Sequence, residues 1–228
     1  MTVRGERRAS LGRSALQGLR HPPFAIWFPL AVYTATRLID ALFILIAARH
    51  QIALSTGLPG LAGYKIWEPS PASPGYGSVA SNWDGQWYAS IATNGYPTTI
   101  PRDSAGHALQ NQWGFYPVYP LFVGAIMRIT GLGFMVVAPL LSVLMGAAAV
   151  TVMFRLVSQI LGRFAASATV LLTCTYMAAP AMQIGYTESL ALLLLCTALL
   201  LLRGRQYGWL VPVLVQHWRE AFNIVQPY

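Results

Sequence analysis

Charge is what this sequence has least of: 10% of its 228 residues are charged, against roughly 25% in a soluble globular domain. Lys65 is its single lysine and only seven residues are acidic, so water is not the main solvent of this chain. Both of its cysteines, Cys174 and Cys196, lie inside apolar runs. A small thiol there is ordinary packing, which excludes a disulfide framework and a thiolate metal site. A Gly-rich phosphate loop, an HExxH pair, a Cys-x-x-Cys pair and a GxSxG elbow are all missing, so a soluble nucleotide-using active site has no support. The alternating pattern of a membrane β-barrel is absent as well.

What is present is apolar length. Hydrophobic residues make up 55% of the chain, and uncharged or nearly uncharged stretches run from Phe24 to Ala47, Phe134 to Phe154, Phe164 to Gln183 and, more briefly, Leu190 to Leu202. About 20 apolar residues in a helix match the hydrocarbon thickness of a bilayer. A segment in lipid must also satisfy its own backbone hydrogen bonds, so these stretches predict helices and an all-α, polytopic membrane protein.

The formal charge of +8 does not point to nucleic acid, because the basic residues border the apolar stretches. Residues 1–23 carry Arg4, Arg7, Arg8, Arg13 and Arg20 and read as a cytoplasmic tail before a retained signal anchor. The remaining arginines test the threading. If residues 114–128 crossed the bilayer, Arg155, Arg163, Arg203 and Arg205 would face outward. If that stretch enters and returns, or lies at the interface, all four join the tail in the cytoplasm, as the positive-inside rule prefers. Pro117 and Pro120 interrupt its start, which also argues against a crossing. We therefore expect about four spans, near 24–47, 134–154, 164–183 and 188–203. An external loop at 48–133 carries juxtamembrane helices, a basic turn covers 155–163, and a divergent segment fills 206–228.

Within the loop, Leu58-Pro-Gly60 and Pro69 to Gly77 are rich in turn formers. Order returns at Ser81 and Asn82, either a suitable helix cap. Trp83, Trp87, Tyr88 and Ile91 then recur at helical spacing, until Gly95-Tyr-Pro97 ends the pattern. A short aromatic helix in the headgroup layer is expected, with Asp84 in its first turn.

Asp84 is the leading candidate for chemistry, as a general base in a held, partly dry position. The structural alternative is a carboxylate favoured by the helix dipole. Glu188, flanked by Tyr186, Thr187 and Ser189, falls on the same outer face, where one carboxylate acts as base and the other positions a substrate or metal. Arg37 and Asp40, three positions apart in the first span, share a helix face and read as a structural ion pair. Lys65, Arg102, His107 and Arg128 are the external groups available to hold a phosphate, with Arg128 alternatively snorkelling from the juxtamembrane stretch. Trp83 and Trp87 flank the acid and are candidate substrate contacts. No metal ligand set is evident.

The string Asn82-Trp-Asp-Gly-Gln-Trp-Tyr-Ala-Ser-Ile-Ala-Thr-Asn-Gly-Tyr-Pro97, then Phe115-Tyr-Pro-Val-Tyr-Pro-Leu121, then Tyr186-Thr-Glu-Ser189 resembles the PIG-V family of membrane mannosyltransferases. These look like members of the GT-C glycosyltransferase superfamily. The resemblance runs from about Arg37 to Arg205, with three motifs in order. It implies a GT-C-like transmembrane domain over 24–205 that moves mannose from a polyprenyl-phosphate donor to a lipid-linked acceptor at the outer face. Asp84 would be catalytic, and Glu188, Tyr186, Arg102, Arg128, Trp83 and Trp87 would bind substrate. The resemblance leaves room for a divalent metal and for a membrane partner protein.

Family members are typically nearly twice as long, so a truncated member is expected. The arginine bias and high alanine content point to a GC-rich bacterium and hence to its plasma membrane. The alternative is a non-catalytic GT-C-like subunit or remnant, and a transporter is a weaker third reading suggested by the Arg37–Asp40 pair.

Overall fold

The computed structural model describes residues 24–54, 69–209 and 212. The basic tail, Lys65 and the amphipathic turn expected around Trp218 and Phe222 lie outside the described residues. The described chain is helical: α1 (Phe24–His50), α2 (Tyr76–Val79), α3 (Asp84–Asn94), α4 (Val118–Thr130), α5 (Phe134–Thr175) and α6 (Glu188–Arg203), with short 3-10 turns at Gln112–Gly114 and Ala179–Gln183. Among the described residues there is no strand, only isolated bridges between Leu54 and Ser70 and between Arg102 and Ala108.

Two helices, α1 and α5, are long and apolar enough to cross a membrane. At 27 residues α1 reaches about 40 Å, and it runs on from the expected Ala47 to His50. Only Pro29, Tyr33, Arg37 and Ala48 along it are buried. Leu38, Leu42 and Phe43 stand 57% to 68% exposed, an outward apolar face suited to lipid and costly in water. A core helix of a soluble protein would hide that face.

The helix α5 is two limbs joined by a sharp turn. Gly162 has φ 84°, ψ 172°, a conformation open to glycine and to almost nothing else. Thr173 Oγ1 consequently lies 3.8 Å from Met153 Sδ, atoms that a straight helix would hold about 30 Å apart. The second and third expected spans are thus distinct helices packed as a hairpin, but their limits differ from the sequence reading. The first limb continues past Phe154 and carries Arg155 within it, so the basic turn narrows to Gly162. The second limb stops at Thr175 rather than at Gln183. Pro180 lacks an amide to continue the ladder and disfavours helix at the residue before it, and the chain tightens into the 3-10 turn Ala179–Gln183. Helix α6 extends two residues before and one beyond the apolar stretch Leu190–Leu202, to the limits expected for the fourth span. Its 16 residues extend about 24 Å.

The helices alternate in direction. Phe24 and Phe28 meet Phe154 with ring centroids 5.8 and 6.0 Å apart, which brings the start of α1 towards the hairpin turn. Arg203 donates to the Gln159 carbonyl at 2.8 Å, bringing the end of α6 to that same end. At the opposite end, Asn82 Nδ2 donates to Gln51 Oε1 at 3.0 Å, and further in the Tyr33 hydroxyl donates to Met182 O at 3.0 Å. Between the ends, Tyr33 packs with Val150, Phe154, Ala166, Val170 and Cys174. Arg155, Arg163 and Arg203 therefore gather near one end of the bundle, with Asp84 and Glu188 at the other.

The expected Arg37–Asp40 pair is present, at 2.9 Å. Arg37 does more than pair: it is 5% exposed, donates to Cys174 O at 3.1 Å and to Ala179 O, and stacks 5.1 Å over the Tyr33 ring. Cys174 is in the last turn of its limb, where carbonyls have no intrahelical donor. A cation there satisfies one of them and complements the helix dipole.

The 13-residue α4 begins right after Pro117, with Pro120 in its first turn, where a missing amide costs nothing. It extends about 20 Å, short of a crossing and in keeping with the return expected for this stretch. It crosses α3 at Gly124, where a Cβ would stand 2.4 Å from the Ala92 carbonyl oxygen. Gly124→Ala should therefore cost about 1–3 kcal/mol, read as a lower unfolding midpoint in detergent. An unchanged midpoint would show that the two helices do not meet so closely.

Candidate active site

The aromatic helix forms with Asp84 in its first turn, as expected, but without either expected cap and with its aromatic face covered. Ser81 and Asn82 do not cap it. It begins at Asp84, with Trp83 as N-cap at φ 56°, ψ −120° and no side-chain cap. The reason is tertiary. Ala80 O accepts from Gly185 N at 2.7 Å, the Asn82 side chain is drawn to Gln51, and Asn82 O accepts from the Tyr186 hydroxyl at 3.2 Å. These long-range bonds hold the segment outside helical geometry. Gly95, φ 76°, ends the helix as expected.

Seven of the eleven residues of α3 are buried, so its aromatic face packs against the protein rather than being presented to lipid. The buried face holds Trp87, Tyr88 and Ile91. Trp83 leaves it and is 62% exposed. Phe115 stacks on Trp87 at 5.9 Å and meets Tyr88 edge-on at 5.3 Å, while Tyr119 meets Tyr88 edge-on at 5.6 Å. The Tyr119 hydroxyl is fully buried and donates to Ala138 O at 2.9 Å, with Ser142 Oγ 2.8 Å away. Ser142 Oγ in turn donates to Tyr186 O at 3.2 Å.

The segment 185–189 docks onto the start of α3 through several bonds. Asp84 N donates to the Tyr186 hydroxyl at 3.3 Å, and the Tyr88 hydroxyl lies 3.2 Å from Thr187 Oγ1. Gly85 packs near Tyr186 and Gly185 O, with its Cβ position 3.7 and 3.8 Å from them. Asp84 and Glu188 occupy the first turns of α3 and α6, and both carboxyls reach the surface. They stand close enough for the charge of one to act on the other, and both act on Tyr88 between them. Partial burial pushes the Asp84 carboxyl above the usual carboxylate range. Burial also keeps the Tyr88 hydroxyl protonated. The arrangement is a proton-accepting carboxylate with a second carboxylate and a buried tyrosine beside it, on a rigid aromatic base.

The cationic candidates fare less well. Arg102 sits in an exposed turn and donates to Gly106 O at 2.7 Å. In the same turn Asp103 Oδ2 lies 3.1 Å from His107 Nδ1. Arg128 is in the last turn of α4, about 14 Å along the helix from Tyr119, where it complements the helix C-terminus. Asp84 and Glu188 are the hard oxygen donors that a divalent cation such as Mg²⁺ would use. Among the described residues, though, no set of three or more His, Cys, Asp or Glu stands together.

Sequence reasoning missed Ser142, a lone hydroxyl in an apolar span, and the supporting role of Tyr119, which was visible only as part of the Phe115 to Leu121 string. Compared with models of protein families, with curated proteins and with solved structures, the chain matches none.

Proposed function

We propose that the chain is a membrane glycosyltransferase of the GT-C kind, taking mannose from a polyprenyl-phosphate donor and giving it to a lipid-linked acceptor. The observation that carries the reading is convergence. Three strings far apart in sequence, residues 82–97, 115–121 and 186–189, meet at one end of the bundle, with two carboxylates where they join. The arginines near the opposite end suit a cytoplasmic face, with four crossings and the carboxylates at the outer surface of a bacterial plasma membrane.

In this reading an acceptor hydroxyl approaches Asp84, which takes its proton as the oxygen attacks the anomeric carbon of the sugar. The bond from that carbon to the phosphate oxygen breaks, its electron pair leaves with the polyprenyl phosphate, and the configuration at carbon inverts. Glu188 positions the sugar or acceptor, and Tyr88 and Tyr186 hold the two loops in register. Growing charge on the phosphate calls for a cation, which Arg102 would supply by releasing its own turn.

The direct test is transfer of labelled mannose from polyprenyl-phosphate-mannose in membranes containing this chain, with and without a co-expressed membrane partner. Labelled glycolipid is the expected product. No transfer under either condition would instead favour a non-catalytic subunit or remnant.

A further inference from the structure

We propose that the end of the bundle opposite the carboxylates is a binding surface for anionic phospholipid, with Arg155 and Arg203 holding a headgroup phosphate between α5 and α6. The inference stands on charge and exposure at that end and is independent of whether the chain transfers sugar.

Arg203, in the last turn of α6, reaches across to α5. Its Nε donates to Gln159 Oε1 at 3.3 Å and its Nη2 to the Gln159 carbonyl at 2.8 Å. A guanidinium has five N–H donors, so most of its donor capacity stays open after both bonds. Arg155 stands one helical turn before Gln159, about 6 Å away along the same face of α5. Arg163 follows the Gly162 turn. The chain folds back after α6, where Gln206 N donates to Leu201 O at 2.9 Å, and this keeps Arg205 at the helix end. All four arginines are exposed. Among the described residues the ion pairs are Arg37–Asp40 and Asp103–His107, so none of the four has a carboxylate partner. Like charges gathered without counter-ions repel one another, and an anion lying between them removes that cost.

Free phosphate or a nucleic acid would match the charge but not the surface beside it. Phe164 is 90% exposed and Leu161 70%, on either side of Gly162 and next to the arginines. Trp27, Tyr207 and Trp209 are exposed as well. Trp27 packs on Phe24 and Phe28, which in turn meet Phe154, the residue before Arg155. Exposed Trp and Tyr favour the depth of lipid headgroups. A phospholipid meets both demands, with a phosphate for the arginines and acyl chains for Leu161 and Phe164. A zwitterionic headgroup would bring a second cation to a site that already has four, whereas an anionic one brings none. Topological bias alone asks only for arginines near span ends, and would not draw Arg203 onto α5.

The test titrates the full chain in detergent with dioleoylphosphatidylglycerol or dioleoylphosphatidylcholine and counts bound lipid by native mass spectrometry. The first phosphatidylglycerol should bind more tightly than phosphatidylcholine. Added sodium chloride should weaken the former alone, since exposed charges are screened, and this arm needs no variant. Arg155→Gln and Arg163→Gln should each weaken phosphatidylglycerol about fivefold, the share of one cation near an anionic surface, and both leave the Arg203–Gln159 bonds in place. Arg49→Gln removes the same charge from the opposite end of α1 and should change nothing. Glycerol phosphate in solution should not displace the lipid. Equal affinity for the two lipids, binding indifferent to salt, or an Arg155→Gln/Arg163→Gln variant that keeps the preference overturns the proposal. So does an Arg49→Gln loss as large as that of Arg155→Gln, or displacement by glycerol phosphate at the concentration of the lipid, which would mark a site for soluble phosphate.

Discussion

Replacing Asp84 with Asn should lower mannose transfer by about 10²- to 10⁴-fold, the usual contribution of a positioned general base, while helix content and unfolding midpoint stay close to wild type. The substitution is nearly isosteric and sits at the surface. The bond that ties this residue to Tyr186 uses its backbone amide rather than its carboxyl. Loss of one negative charge also removes repulsion with Glu188, so the fold has no reason to weaken. The pH profile gives a second reading of the same group. Partial burial holds Asp84 above the usual carboxylate range, so the base form is lost as pH falls through that raised value. The rate should drop on the acid side at a higher pH than a solvated aspartate would give, and level off above it. Burial rather than the neighbouring acid is what raises Asp84, so Glu188→Gln should leave this acid limb in place. Near-normal turnover in Asp84→Asn, or an acid limb no higher than that of a solvated aspartate, would remove Asp84 from the role of base.

Arg37→Met should destabilise the protein by about 3–5 kcal/mol, the range found when one partner of a buried ion pair is removed. The side chain is 5% exposed and Asp40 17%, so the aspartate left behind would be mostly out of water and alone. Two carbonyls, those of Cys174 and Ala179, would lose a donor at the same time. The double variant Arg37→Met/Asp40→Leu should recover a large part of the loss, because it no longer strands a charge. Thermal unfolding of both singles and the double in detergent measures the coupling. If the losses simply add, the pair is not a unit. The effect should reach the candidate site too, since Ala179–Gln183 leads directly into the segment that presents Tyr186 and Glu188.

Much of the frame was legible in the sequence because it depends on local, one-dimensional signals. Helices α1 and α6 follow from uncharged length, the Arg37–Asp40 pair follows from helical spacing, and the shortness of α4 follows from Pro117 and Pro120. What failed did so where distant residues overrule local preference. Ser81 and Asn82 look like caps, yet bonds from Gly185 to Ala80 O and from Tyr186 to Asn82 O hold the backbone there. The aromatic face of α3 reads as interfacial, but Phe115 and Tyr119 cover it. The third span reads as continuous to Gln183, and Pro180 with the Arg37 contacts ends its helix at Thr175. Of the candidate residues, Asp84, Glu188 and Tyr186 are brought together, whereas Arg128 lies at the far end of α4. Ser142 could not be found, because one hydroxyl in an apolar run gives no pattern.

The bond between Tyr186 and Asn82 joins residues 104 positions apart, and that separation sets an order of assembly. Local contacts form early and distant ones wait for the chain to arrive. Helices α3 and α4 are close in sequence and can settle against each other while the hairpin is still being made. The carboxylate of Glu188 joins them only after α6 has been synthesised and placed. Asp84 therefore spends the early life of the protein without its partner, and a ribosome stalled before residue 189 would present a folded aromatic platform with half of its acid pair.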